Sequence, residues 1–316
     1  MTAIIKKKEN LQLLITGLAL VLLVVFFSSL SEYFFTPANL MTILLTATSV
    51  GIIAVGQFLC LVSQNFDMSV GNVAAMGGVI FTMLVKDGGF SVPLALVIGL
   101  CFGLGSGFIV GFSVAKLNTN AFITTFAMLQ IYRGILFVLT AGVPISMATN
   151  PAYRFLGSYK ILDTIQMPVM ILIVVYVAFF IIMRYTKLGR NVYAVGSNPE
   201  AAHICGVNVV NVKIFCFLVT GVLSALAGIL FASRVNSAQP NVGAMYALDS
   251  IAASVVGGTA MTGGKGSILG VFIGVMIVNV VQNGLIMIGL DPSYQYIVTG
   301  LIMFFAVLAQ TSKKKQ

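Results

Sequence analysis

Charge is what this sequence most lacks. Of its 316 residues only 8% are Asp, Glu, Lys or Arg, against about 25% in soluble domains, so the chain cannot cover its own surface for water. Regular polar alternation is also missing, which excludes a transmembrane β-barrel, whose strands alternate over about 10 positions. The single histidine, His203, falls in a loop. That excludes a His-containing triad inside a membrane, and no paired-carboxylate or HExxH motif offers other catalysis. No GxxxxGK[ST] run occurs, so the backbone cradle for nucleotide phosphates is missing. The chain is therefore not expected to be an ATPase, and any ATP hydrolysis must lie on another chain. The four cysteines, Cys60, Cys101, Cys205 and Cys216, have no metal-like spacing and read as reduced, small apolar filler. No metal site is expected.

What is present in quantity is apolar sequence: 59% hydrophobic residues and a mean hydropathy of +1.06. Runs of about 20 apolar residues recur, each sufficient for a hydrocarbon core roughly 30 Å thick. These features predict an all-α integral membrane protein, a single domain over 1–316, with about ten transmembrane helices. The predicted spans are 11–31, 40–62, 68–86, 92–114, 120–141, 166–185, 211–232, 246–262, 266–289 and 293–310. The first follows Lys6-Lys7-Lys8 like a signal peptide, but it is too long for one and no small-residue cleavage site follows, so it is read as a retained span.

The net charge of +9 does not point to nucleic acid, because the basic residues sit beside spans. With the N-terminus inside, Lys6, Lys7, Lys8, Lys116, Arg184, Lys187, Arg190, Lys213, Lys265, Lys313, Lys314 and Lys315 are all internal. Lys86, Arg154, Lys160 and Arg234 are external, and Arg133 is within a span. This inside excess predicts cytoplasmic termini. It also places loop 142–165 outside and loop 186–210 in the cytoplasm. Segments 66–78 and 248–264 echo one another, which raises an inverted repeat of spans 2–5 and 7–10, a common transporter plan with the pathway near the repeat interface.

Three constellations are candidates for function. The run GLCFGLGSGFIVGF puts Gly99, Gly103, Gly107 and Gly111 on one helical stripe. In lipid, close backbone packing across small residues holds helices together, so a helix–helix seam is expected. Polar groups at membrane depth are costly and mark either helix locks or a solute path: Asp67, which interrupts the apolar character between the second and third spans, then Arg133 and Asp249 within spans, with Asn279, Gln282 and Asn283 sharing a face at i, i+3 and i+4. The third is TKLGRNVYAVGSNPEAAHICGVNV, 186–209. Ser197 or Asn198 can cap a short helix, Pro199 suits its first position and Glu200 suits its dipole. Ala201 and Ala202 extend it and Gly206 can end it. Such a helix, isolated between two spans, is expected to dock on a partner protein.

The segment GRNVYAVGSNPEAAHICGVNV resembles the cytoplasmic coupling loop of the ribose-type permeases of bacterial ABC importers. So do NFDMSVG (65–71), AFITTFAMLQIYRGILFVLTAG (121–142), SAQPNVGAMYALDSIAASVVGGTAMTGGKGS (237–267) and QNGLIMIGLDPSYQYIVTG (282–300). The resemblance implies a vitamin-B12-importer-like fold of ten helices in a bacterial inner membrane. It further implies a second permease copy or paralogue and a partner ATPase that uses ATP and Mg. An external sugar-binding protein completes the set, and no cofactor is bound by this chain. The solute would be a monosaccharide, with an autoinducer-2-like compound as the alternative. NFDMSVG stands where relatives often carry GGIDLSVG. An ion-coupled secondary transporter would explain the spans but leaves the helix near Pro199 without a purpose.

Overall fold

The computed structural model describes residues 2–147, 150–161 and 164–312; Lys313, Lys314 and Lys315 lie outside them. The apolar runs form helices, the structure that satisfies every backbone amide within its own segment. In order they are α1 (Thr2–Leu30), α2 (Pro37–Val62), α3 (Val70–Lys86), α4 (Val92–Ala115), α5 (Ala121–Thr140), α6 (Pro151–Ser158), α7 (Met167–Tyr185), α8 (Lys187–Ser197), α9 (Pro199–Ile204), α10 (Val209–Val235), α11 (Tyr246–Val256), α12 (Ile268–Met287) and α13 (Tyr294–Ser312). Two strand pairs occur in the loops: β1 (Ile145–Ser146) is antiparallel to β4 (Ser237–Ala238), and β2 (Lys160–Ile161) to β3 (Ile165–Gln166).

Among the described residues, seven helices are long and apolar enough to cross a membrane: Leu11–Leu30 of α1, then α2, α4, α5, α7, α10 and α12. Shorter apolar helices are α3, α11 and Tyr294–Ala306 of α13. The expected span 246–262 is helical only to Val256. At 1.5 Å per residue α11 reaches only about 17 Å, short of the roughly 30 Å core. Residues 257–267 instead form a glycine-rich loop.

Helix starts follow local chemistry. Thr36, Asn120, Asn150, Thr186, Asn198, Asn208 and Ser267 each accept a backbone N–H of the first turn, satisfying a donor that would otherwise be orphaned. Large apolar side chains such as Leu14, Phe108, Val138, Val174 and Phe305 face outward. That surface suits hydrocarbon and would aggregate in water.

The centre is built on α2 and α10. Gly56 lies against the Thr220 backbone, and Cys60 Sγ is 3.2 Å from Thr220 Oγ1. The glycine stripe of α4 faces α10. A Cβ at Gly103 would sit 2.5 Å from the Gly221 carbonyl oxygen, one at Gly107 2.8 Å from Leu218 Cα, and one at Gly111 3.1 Å from Ile214 Cα. Gly99 meets Ile229 on the same line. Gly105, on the other face, has nothing within 4 Å.

α6 sits at the far end of α10. Tyr153 is fully buried there, stacked on Phe81, its hydroxyl 2.7 Å from Thr82 Oγ1 and its carbonyl accepting from Ser233 Oγ. Burial pushes the Tyr153 hydroxyl up to about 12, so it stays neutral. α8 lies at the opposite end, against the C-terminus of α2, and α9 packs on α8 and α10.

The two faces of α4 give a controlled test of the seam. Gly103→Leu and Gly107→Leu should each cost roughly 1–3 kcal/mol or more through overpacking and lower the yield of folded protein, whereas Gly105→Leu should behave as the parent does. Thermal stability in detergent measures the difference, and three equal variants would contradict the seam.

Candidate functional site

Two segments interrupt the helical bundle, and they meet. After α2 the chain turns at Gln64, whose φ of +65° lies in the left-handed region. It then climbs back along α2, where the Gln57 side-chain amide lies 3.2 Å from both the Asp67 backbone N–H and C=O and pairs with both when its oxygen faces the N–H and its nitrogen the C=O. Asp67 is buried and accepts from Ser69 N at 2.7 Å and Ser69 Oγ at 2.6 Å, tying down the start of α3. Residues 239–245 enter from the α6 end. Gly71 and Gly243 then touch backbone to backbone, each leaving no room for a Cβ on the other.

Beside this meeting point a cavity of about 510 Å³ opens toward the α6 end. Its lining includes Ser49, Arg234, Tyr246, Asp249, Asn279 and Gln282. Asp249 is buried, and Gln282 Nε2 donates to its Oδ1 at 3.4 Å and to Thr299 Oγ1 at 3.3 Å. Arg234 donates to the Leu45 carbonyl at 2.7 Å and borders a second cavity of about 600 Å³, which Arg154 and Lys160 also line. A site of this size with a carboxylate, amides, hydroxyls and a guanidinium suits a small hydroxylated solute better than an apolar one.

The polar residues singled out in the sequence therefore separate. Asp249, Gln282 and Asn279 border the cavity, although Asn279 Nδ2 donates to its own helix at Val275 O. Asn283 is a lock: it exchanges two hydrogen bonds, of 2.9 and 3.0 Å, with buried Asn39 of α2. Arg133 is exposed and lies over the Phe137 ring. Arg234, Tyr246 and Asn39 were missed. Arg234 and Asn39 sit at helix ends, where sequence marks only a boundary.

The loop 186–210 holds two helices where one was expected. Asn198, not Ser197, caps α9, accepting from Ala201 N at 3.0 Å, while Ser197 Oγ donates to the Tyr193 carbonyl. Gly206, at φ +82°, ends the turn, and Val207 N bonds Ala202 O. Ala202 is buried against its own chain. Glu200, Ala201 and Ile204 face outward, Ile204 with 85% of its surface exposed.

Comparison with known proteins places the chain in a family of transport-system permeases. The sequence profile described as "branched-chain amino acid transport system / permease component" matches residues 39–307. The chain is 36% identical over 301 residues to the ribose import permease protein RbsC of Escherichia coli (strain K12), covering 94% of this chain and 93% of that one. It is equally 36% identical over 297 residues to RbsC of Bacillus subtilis (strain 168), covering 94% and 92%. To the L-arabinose transport system permease protein AraH of Escherichia coli (strain K12) it is 36% identical over 282 residues, covering 89% and 85%. No solved structure matches. With the profile spanning most of the chain and relatives aligned nearly end to end, the chain belongs to the branched-chain amino acid transport system / permease component family.

Proposed function

We propose that this chain is the membrane-spanning permease of an ATP-driven ABC importer of a monosaccharide, ribose or arabinose in type. The observation that carries the ATP-driven part is α9. It is capped by Asn198, backed by buried Ala202 and presents Glu200, Ala201 and Ile204 outward, from a chain without a P-loop. The solute class follows the relatives: the family's descriptive name refers to amino acids, but the aligned relatives are ribose and arabinose permeases.

In this reading the α9 end is cytoplasmic and the α6 end external, and the chain crosses a bacterial inner membrane ten times, with α3 and α11 completing their crossings through non-helical segments. The inverted repeat gains support from an exchange of partners, since α2 packs on α11 as α10 packs on α3. This is the arrangement expected of a vitamin-B12-importer-like fold. A second permease copy, an external binding protein and a partner ATPase supplied with ATP and Mg complete the machine. Solute leaves the binding protein, meets the polar cavity near Asp249 and passes inward as the ATPase moves the 186–210 loop. Asp67, near the inner end, stabilises the turn into α3 rather than touching solute.

Two sets of variants test this. Ala201→Trp and Ile204→Asp should abolish co-purification of the ATPase without disturbing membrane insertion. Glu200→Lys should weaken it less, since a helix-end charge is worth about 0.3–1 kcal/mol. Full association and full binding-protein-stimulated hydrolysis in the first two would remove the loop from the mechanism.

For the cavity, Asp249→Ala should lower uptake about tenfold, as for one charge-assisted hydrogen bond worth about 1.5 kcal/mol, while the complex still forms. Asn283→Ala strands Asn39 and should instead reduce complex yield, at a cost of roughly 1–3 kcal/mol. Normal uptake in Asp249→Ala would exclude that carboxylate from the pathway.

A further inference from the structure

At the α9 end, three chain segments are bound backbone to backbone. Gly264 N donates to the Val62 carbonyl at 2.9 Å, joining the loop 257–267 to the last residue of α2. Gly196 of α8 presses on that same carbonyl so closely that a Cβ there would collide with it. Gln64, held at φ +65°, turns its side chain back so that Nε2 donates to the Gly196 carbonyl at 2.9 Å. Tyr193, one turn earlier on α8, donates from its hydroxyl to the Gly266 carbonyl at 2.8 Å. The loop needs glycines to fit here: Gly263, Gly264 and Gly266 have φ of +82°, +70° and +145°.

The two segments that α8 grips are the turn after α2 and the loop 257–267 that follows α11. From Gln64 the chain runs directly to Asp67 and the start of α3 at Gly71. From the loop 257–267 it runs back through α11 to Asp249 and the cavity. Because Gly196, Val62 and Gly264 meet through main-chain atoms, no side chain between them can change rotamer and absorb a shift of α8.

We infer that Gln64 and Tyr193 are positioning residues for transport, clamping α8 to both segments so that movement of the 186–210 loop reaches the α2–α3 turn and the α11–α12 loop together. The inference rests on the reading of that loop as the ATPase-coupling element. Both residues lie outside α9 and both side chains are committed to carbonyls within this chain, so each should affect how hydrolysis is used rather than whether the ATPase binds.

The test is Tyr193→Phe, Gln64→Asn and the double variant in the full complex with its ATPase and binding protein, reconstituted in lipid vesicles. Phe keeps the ring and removes only the donor. Asn keeps a side chain that tolerates the left-handed backbone and withdraws the amide by one methylene. The expected result is unchanged ATPase co-purification and stimulated hydrolysis, with sugar imported per ATP lowered about fivefold in each single variant, the bias one hydrogen bond supplies. Parental import per ATP in the double variant would overturn the clamp, as would loss of ATPase association, which would make these contacts part of the docking surface. If the double variant fails to fold in the membrane, Tyr193→Phe alone decides. The coupling reading fails separately, when Ile204→Asp retains both association and stimulation.

Discussion

Main-chain contact across glycine is the constraint from which the rest follows. Lipid tails are as apolar as the side chains they touch, so no hydrophobic force gathers these helices, and attraction must come from close approach. Gly103, Gly107 and Gly111 let α4 settle on α10, Gly228 admits the Ala74 backbone of α3, and Gly257 and Gly270 let α11 and α12 close on one another. The side chains that would be large enough to fill such gaps point outward instead, where hydrocarbon receives them.

A bundle held in this way can enclose chain that is not helical. Irregular backbone at membrane depth is tolerated only where protein satisfies its polar groups. Here Gln57 serves Asp67, Ser69 serves the Asp67 carboxylate, and the Val62 carbonyl serves Gly264. The two irregular segments meet at Gly71 and Gly243, so the starts of α3 and α11 are held as neighbours. A polar cavity flanks that junction, and α8 holds the turn from which the first of the two segments starts.

Much of this was legible in the sequence because it rests on local chemistry. Hydropathy marks spans, a spacing of four marks the glycine stripe, and Asn198-Pro199-Glu200 with Gly206 marks α9. What could not be read depends on distant partners. Residues 246–262 are mostly apolar, and hydropathy does not tell a helix from a loop whose amides find acceptors elsewhere, as Gly264 does on Val62. The helix α8 hid behind two glycines, Gly189 and Gly196, that sequence reads as breakers, although both are needed for close contact with Met183 and Val62. Ala201 and Ala202 look alike in sequence, and only packing turns one outward and the other in. Asn283 and Gln282 are adjacent, yet one locks α12 to α2 and the other reaches Asp249.

The central claim is that energy enters through the 186–210 loop from an ATPase and not through titration of a group in the membrane. It is tested most directly by measuring labelled ribose or arabinose accumulation in vesicles containing the purified permease, with the ATPase and binding protein added or withheld. The account predicts accumulation that requires both partners and ATP hydrolysis and is indifferent to collapse of proton and sodium gradients. Accumulation by the permease alone, driven by an imposed ion gradient, would contradict it.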